Sequence, residues 1–540
     1  MAQYQADRGA LDRLRPFPLS AARLDRLERL HRDWLARLDA VPFEELPRRD
    51  QIDWLLLRNQ VEHELARVAI ERAREAEIAP LAPFAPPLVA LLEARVRREP
   101  VEAAAAASTL AAAVEAVATA TETLRAEPPA VSGAVANRAA GAIERLRRRL
   151  AGWYRYGAGY DPLFTWWCSA PWQELDRALG DYATFLRREV GRLDPNDPDQ
   201  LVGDPIGRDA LLAELAFERI AQTPEELIAI AERELAWCQE QRRAAAAELG
   251  FGDDWRAAQE QVKEDYAEPG GQPRTIAGLA AEAVRFLKER DLITIPPLAE
   301  EVWRMEMMSP ERQKMTPYFT GGEVISISYP TTEMAHTDKL MSMRGNNLHW
   351  SRATVHHELI PGHHLQGFMS QRWNPQRRPF GTPFYLEGWA LYWELRLWDL
   401  GFAQGPEDRL GMLFWRAHRC ARIIFSLRFQ LGEWSPQQCV DFLVEQVGHE
   451  RRNATAEVRR SIQGGYGPLY QCAYLVGGLQ LRALHDELVG GAGWSERDFH
   501  DAVLKENSMP IEFLRAALTD QPLGRDFPVS WRWHEGRAAR

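Results

Sequence analysis

Leu24, Leu27, Leu30, Trp34 and Leu38 recur three and four residues apart, and Trp54, Leu57, Val61 and Leu65 repeat the rhythm. That is the period of one buried face of an α-helix, and most of the chain follows it. The alanine-rich stretch VEAAAAASTLAAAVEAVATATETL (residues 101–124) is a strong local helix former, predicted to pack closely on its neighbours. Breaks rich in proline, glycine and aspartate fall at 127–133, 194–207 and 267–275. They outline an N-terminal helical region at 1–200, a helical connecting region at 201–275 and a histidine-bearing region at 276–540, within one integrated fold.

One stretch breaks the helical period. EVISISYPT (residues 323–331) alternates apolar and polar positions before meeting Pro330. Period two predicts a short strand, and a proline that cannot donate to a ladder places it at a sheet edge. The expected architecture is therefore mainly α, with one small antiparallel sheet beside the histidine-bearing helix. An edge strand there could also pair with an extended peptide.

Composition narrows the class. The 540 residues are 46% hydrophobic and 26% charged, which supports a sizeable core. A net charge of -11 argues against a broad nucleic-acid footprint. The basic run RLRRRLAGWYRYG (residues 145–157) is short enough to be a solvated helix face. The five cysteines, at 168, 238, 420, 439 and 472, are scattered and read as reduced core residues. The first residues lack the apolar run of a signal peptide, and no stretch of about 18 apolar residues suggests a membrane span. The default expectation is a soluble, cytoplasmic protein without membrane or nucleic-acid partners.

Residues 356–366 read HHELIPGHHLQ, four histidines and a glutamate in a frame close to H-E-x-x-H. In that motif, histidines at i and i+4 share one helix face and meet one zinc ion, with the glutamate as general base. Here Pro361 stands four residues after His357, and His363 stands six after it. On a straight helix these two histidines would diverge by roughly 120°. Pro361 cannot continue the helix, because its ring would clash with the carbonyl of His357. Gly362 then tolerates unusual backbone angles. A Pro-Gly bulge of two residues would let His357 and His363 meet one metal, with Glu358 beside it. Downstream, FYLEGWALYWELRLW (residues 384–398) forms an amphipathic helix bearing Glu387 and Glu394 among large aromatics. Carboxylates in such surroundings need a partner, and a zinc ion would be one.

HELIPGHHLQ followed by EGWALYWE resembles the DUF885 family of bacterial proteins, which shares H-E-x-x-P-G-H-H and a downstream E-G-W-A. The resemblance runs over roughly residues 20–520 and includes AEVRRSIQGGYGPLYQCAYLVGG (residues 456–478). It implies kinship with the gluzincin metallopeptidases, among them the mainly helical angiotensin-converting-enzyme and oligopeptidase families, and a deep cleft between two helical halves. In those relatives the third zinc ligand is a glutamate some two dozen residues after the second histidine, which points to Glu387. A glycine precedes the second ligand there, which favours His363 over His364. The dipeptidyl-peptidase III family is similar in having an expanded motif. Ser426 and Gln430 stand where the family often carries aspartate and histidine, and PLYQ (residues 468–471) replaces a common P-G-Q.

The expectation is a zinc metallopeptidase acting on short peptides, with one zinc per chain on His357, His363 and Glu387. Glu358 would be the general base. Tyr466, Tyr470, Tyr474 and His449 are candidate donors to the oxyanion; the resemblance favours Tyr474, while His449 reads as a structural histidine. His364 and Glu394 would act from behind the ligands, His364 by orienting a carboxylate. Arg459 and Arg460 could bind a substrate carboxylate. Two alternatives use the same residues: a zinc amidohydrolase acting on a non-peptide or modified amino-acid amide, and a catalytically decayed protein that binds peptides or keeps zinc for structure. An intact Glu358 argues against decay.

Overall fold

The first apolar repeat folds as the helix Ala21–Asp39, burying Leu24, Leu27, Leu30, Trp34 and Leu38. Ser20 starts it, its hydroxyl accepting the Arg23 N–H. The computed structural model describes residues 1–194, 197, 200–309, 312–313, 319–463 and 465–534, and these are mainly helical. The chain divides into two compact units: Met1–Pro42 with Leu57–Asp204, and Phe43–Leu56 with Pro205–Arg540. Nearly all of the 201–275 stretch thus belongs to the second unit.

In the first unit the alanine-rich stretch is the helix Ala103–Ala126. Its buried positions, among them Ala106, Leu110, Ala113, Val117 and Ala120, join one core with Leu175, Leu179 and Tyr182 of the helix Pro162–Phe185. Small side chains let the two backbones approach closely. By length and composition this helix could cross a membrane, so the expectation that no stretch qualifies is corrected. Its packed face is what an interior helix presents.

In the second unit, the predicted strand is β2, Val324–Ile327, paired with β1, Arg304–Met307. The pairing is parallel, with Arg304 opposite Val324 and Met307 opposite Ile327. The expected antiparallel sheet is therefore wrong among the described residues. Alternation identifies a strand and its buried face but carries nothing about the direction of its partner. The other edge of β2 is occupied at Ser326, whose N–H donates to the Thr320 carbonyl at 2.8 Å. The edge expected to receive a peptide is thus filled there by the chain itself. Ile325 and Ile327 pack with Val355 and Leu359, which seats the sheet beside the histidine-bearing helix.

The helices Pro383–Asp399 and Tyr470–His485 cross at glycines. A Cβ on Gly388 would lie 2.6 Å from the Gly477 Cα, and one on Gly477 would lie 2.1 Å from the Phe384 carbonyl oxygen. Neither position can carry a side chain while the helices stay this close. The long helix Pro406–Gln430, buried along most of its length, contributes Trp415, Arg419 and Arg422. All five cysteines are buried and free.

Candidate metal centre

The helix Leu348–Glu358 carries His357 and Glu358 and starts at Asn347, whose side chain accepts the N–H groups of His349 and Trp350. It ends where the Pro-Gly pair requires. Leu359 leaves helical angles, the Ile360–Pro361 bond is cis, and a second helix, His363–Ser370, begins after Gly362. The Gly362 N–H donates to the His356 carbonyl at 3.0 Å. A Cβ on Gly362 would fall 1.8 Å from the His357 carbonyl oxygen, so only glycine fits. The Trp389 indole donates to the Pro361 carbonyl at 2.8 Å, tying the bulge to the helix that carries Glu387.

These elements bring three side chains together. Donor atoms of His357, His363 and Glu387 lie within 4.8 Å of one another. The Nε2 atoms of His357 and His363 stand 3.7 and 3.2 Å from Glu387 Oε2. His357 Nδ1 is bonded to Glu394 Oε1 at 2.6 Å, which leaves Nε2 facing the cluster. The Tyr470 hydroxyl donates to the other Glu387 oxygen at 2.5 Å.

Charges in the cluster depend on each other. Burial disfavours the charged form of His357, yet the carboxylates of Glu387 and Glu394 outweigh it and raise the imidazole to about 9. Burial likewise opposes charge on Glu387, but His363 and His357 hold its carboxyl well below the usual range. Glu394 is also lowered, with His357 overcoming burial. For Glu358 burial outweighs the pull of His357 and His363 and pushes the carboxyl up.

A cavity of about 300 Å³ opens onto the cluster, and every residue lining it belongs to the second unit. Glu358, Glu394, Tyr466, Tyr470 and Tyr474 line it. Tyr474 lies nearly parallel to the His357 ring, with centroids 6.3 Å apart and an angle of 16°. Tyr466 stacks against Tyr470 at 4.3 Å. The turn before β2 closes tightly on Glu358: a Cβ on Gly321 would be 2.4 Å from the Glu358 Cβ.

Three expected residues lie elsewhere. His364 turns to the Ala299 carbonyl, 2.6 Å from its Nε2, and among the described residues it shares no hydrogen bond with a carboxylate. The helix frame explains this, because adjacent residues diverge by about 100°. His449 shares a hydrogen bond with His418 at 2.9 Å and lines a different cavity. Arg460 lines the cavity at the cluster, whereas Arg459 does not. Sequence reasoning passed over Arg419, Arg422 and Glu457, which also line it. For the two arginines the signal was their recurrence at 416, 419 and 422 beside apolar residues of one helix. Ser426, one turn beyond, bonds to the Ile423 carbonyl, and Gln430 accepts the Ile206 N–H.

The family described as "Bacterial protein of unknown function (DUF885)" matches residues 3–518. The chain belongs to the DUF885 family. No curated protein matches it. Two solved structures resemble this DUF885 chain in fold. One is "a putative lipoprotein of unknown function from Shewanella oneidensis", 16% identical with a TM-score of 0.70, aligned over 95% of this chain and 98% of that one. The other is "the putative lipoprotein from Colwellia psychrerythraea", 17% identical with a TM-score of 0.51, over 86% and 75% respectively.

Proposed function

We propose that this DUF885 protein is a zinc-dependent hydrolase of short peptides, akin to the gluzincins its motifs resemble. The observation that carries the reading is the convergence of His357, His363 and Glu387 with Glu358 on the wall of the same cavity. Two imidazoles and a carboxylate form a donor set suited to catalytic zinc. Glu394 on His357 Nδ1 is the kind of outer partner that fixes a ligand's orientation. Bound there, zinc supplies Lewis acidity that polarises a carbonyl and lowers the pKa of water.

The protein's own groups do the rest. Glu358 accepts a proton from the attacking water and returns it to the leaving amine as the C–N bond breaks. Its pKa, raised by burial, suits both halves of that task. Tyr470 holds Glu387 in place, and Tyr474 donates its hydroxyl to the developing oxyanion. The small cavity favours short substrates. Cytoplasmic action is the default location. The description of both structural relatives as lipoproteins makes a membrane-anchored site the competing one, and fractionation of the native cell decides between them.

Elemental analysis should give about one zinc per chain, lost in His357→Ala, His363→Ala and Glu387→Ala but kept in His364→Ala. Glu358→Gln should keep the metal while hydrolysis falls roughly a hundredfold or more. Full metal retention in all three ligand variants, or wild-type turnover by Glu358→Gln, sinks the reading.

A further inference from the structure

The cavity at the candidate centre is also lined by three arginines, Arg419 and Arg422 of the helix Pro406–Gln430 and Arg460 of the helix Arg451–Gln463. One nearby carboxylate serves them. Glu457 Oε1 is 2.7 Å from Arg422 Nε, and Arg460 interacts with the same group. Among the described residues, the ion pair of Arg419 is with Glu394, at 3.8 Å, and Glu394 already bonds to His357. Three guanidiniums thus line the cavity and share the Glu457 carboxylate.

Two of these arginines also carry buried donors without a hydrogen-bond partner among the described residues. Arg419 and Arg422 are 8% and 3% exposed. Among the described residues, Arg419 Nε and Arg422 Nη1 find no hydrogen-bond acceptor. Leaving buried donors of a charged group unsatisfied is costly, and in native structures water, an ion or a ligand usually fills such a gap. The planar fork of a guanidinium matches the two oxygens of a carboxylate.

The cluster is also close to the chemistry. Tyr474 lies under both guanidiniums, 4.5 Å from the Arg419 carbon and 4.7 Å from that of Arg422. The same ring is 6.3 Å from the ring of His357. An extended peptide advances about 3.3–3.6 Å per residue. A carboxylate on the arginines and a scissile carbonyl beside His357 are therefore separated by no more than about three residues.

We infer that the substrate is a short peptide held by its free C-terminal carboxylate on Arg419, Arg422 and Arg460, and cut within three residues of that end. This rests on the hydrolytic reading above and names its substrate class. Water adds across the C–N bond near the C-terminus, releasing a short C-terminal fragment whose carboxylate is the group the arginines bound.

The test compares N-acetylated tetrapeptides as free acids with the same peptides as C-terminal amides, on the zinc-loaded wild-type protein, with products identified by mass spectrometry. The free acids should be cut within three residues of the C-terminus, with kcat/KM at least about tenfold above the amides, as expected for losing a charge-assisted hydrogen bond. Arg460→Gln, a change at a half-buried position, should raise KM for the acids about tenfold and so narrow their advantage over the amides, with the effect falling on KM rather than kcat; an unchanged acid-to-amide ratio counts against the inference. Equal cleavage of acids and amides overturns the inference. If neither set is cut, the hydrolytic reading fails, and calorimetric binding of the same pairs judges the carboxylate pocket by itself. Acids binding at least about tenfold more tightly than amides support the pocket, and equal binding overturns it.

Discussion

His357 and Glu394 are joined through Nδ1 and Oε1 at 2.6 Å, from two different helices. The bond fixes which imidazole nitrogen faces Glu387 and adds basicity to the ring. Glu394→Gln can keep the shape of this contact but removes the charge. Metal affinity or turnover should fall about 10- to 100-fold, read by competition with a chelator and by kcat/KM. An unchanged affinity together with an unchanged rate would show that Glu394 has no part in holding His357.

Gly321 leaves no space between the turn before β2 and Glu358. An alanine Cβ would stand 2.5 Å from both the Glu358 backbone oxygen and its Oε2. Backbone cannot yield as a side chain can, so Gly321→Ala should push the Glu358 carboxylate aside. Zinc content should stay at the wild-type level while turnover drops about tenfold or more, since a small misplacement of a general base is expensive. Wild-type kinetics in this variant would mean that Glu358 tolerates the shift and is not positioned by the turn.

The crossing of Gly388 and Gly477 sets how closely Glu387 and Tyr470 can approach. Gly477→Ala forces the helices apart against the Phe384 carbonyl oxygen. Overpacking of this kind costs about 1–3 kcal/mol or more. The variant should unfold at a lower temperature and, with the Tyr470–Glu387 bond stretched, bind zinc more weakly. A melting temperature matching the wild type would show that the crossing has slack.

Glu218 is buried where the Thr382 hydroxyl donates to it at the start of the helix that carries Glu387. Burial raises its carboxyl from 4.5 to about 8, although the Thr382 bond works the other way. Between those values the folded state keeps a proton that the unfolded chain has lost. Its stabilisation is thus complete below pH 4.5 and is lost as pH rises towards 8. Glu218→Gln stays neutral throughout. It should be more stable than wild type at pH 8.5 by on the order of a few kcal/mol and nearly equal at pH 4.5, in thermal melts at both values. Identical pH profiles for the two proteins would place the titration elsewhere.

The chain itself determined what depends on neighbouring residues. Apolar positions three and four apart set the helices, and period two marked residues 323–331 as extended. The Pro361-Gly362 pair showed that His357 and His363 could share a side despite a six-residue interval, because proline stops the helix and only glycine fits against the His357 carbonyl. The tertiary structure decided what depends on distant segments meeting. It paired β2 with β1 in parallel, since a strand pattern holds no information about its partner's direction. It turned His364 to Ala299 and His449 to His418, contacts over 65 and 31 residues that spacing cannot express. It set Arg419, Arg422 and Glu457 around Tyr474, because the charges on two helices were brought to one cavity only by the packing of their apolar faces.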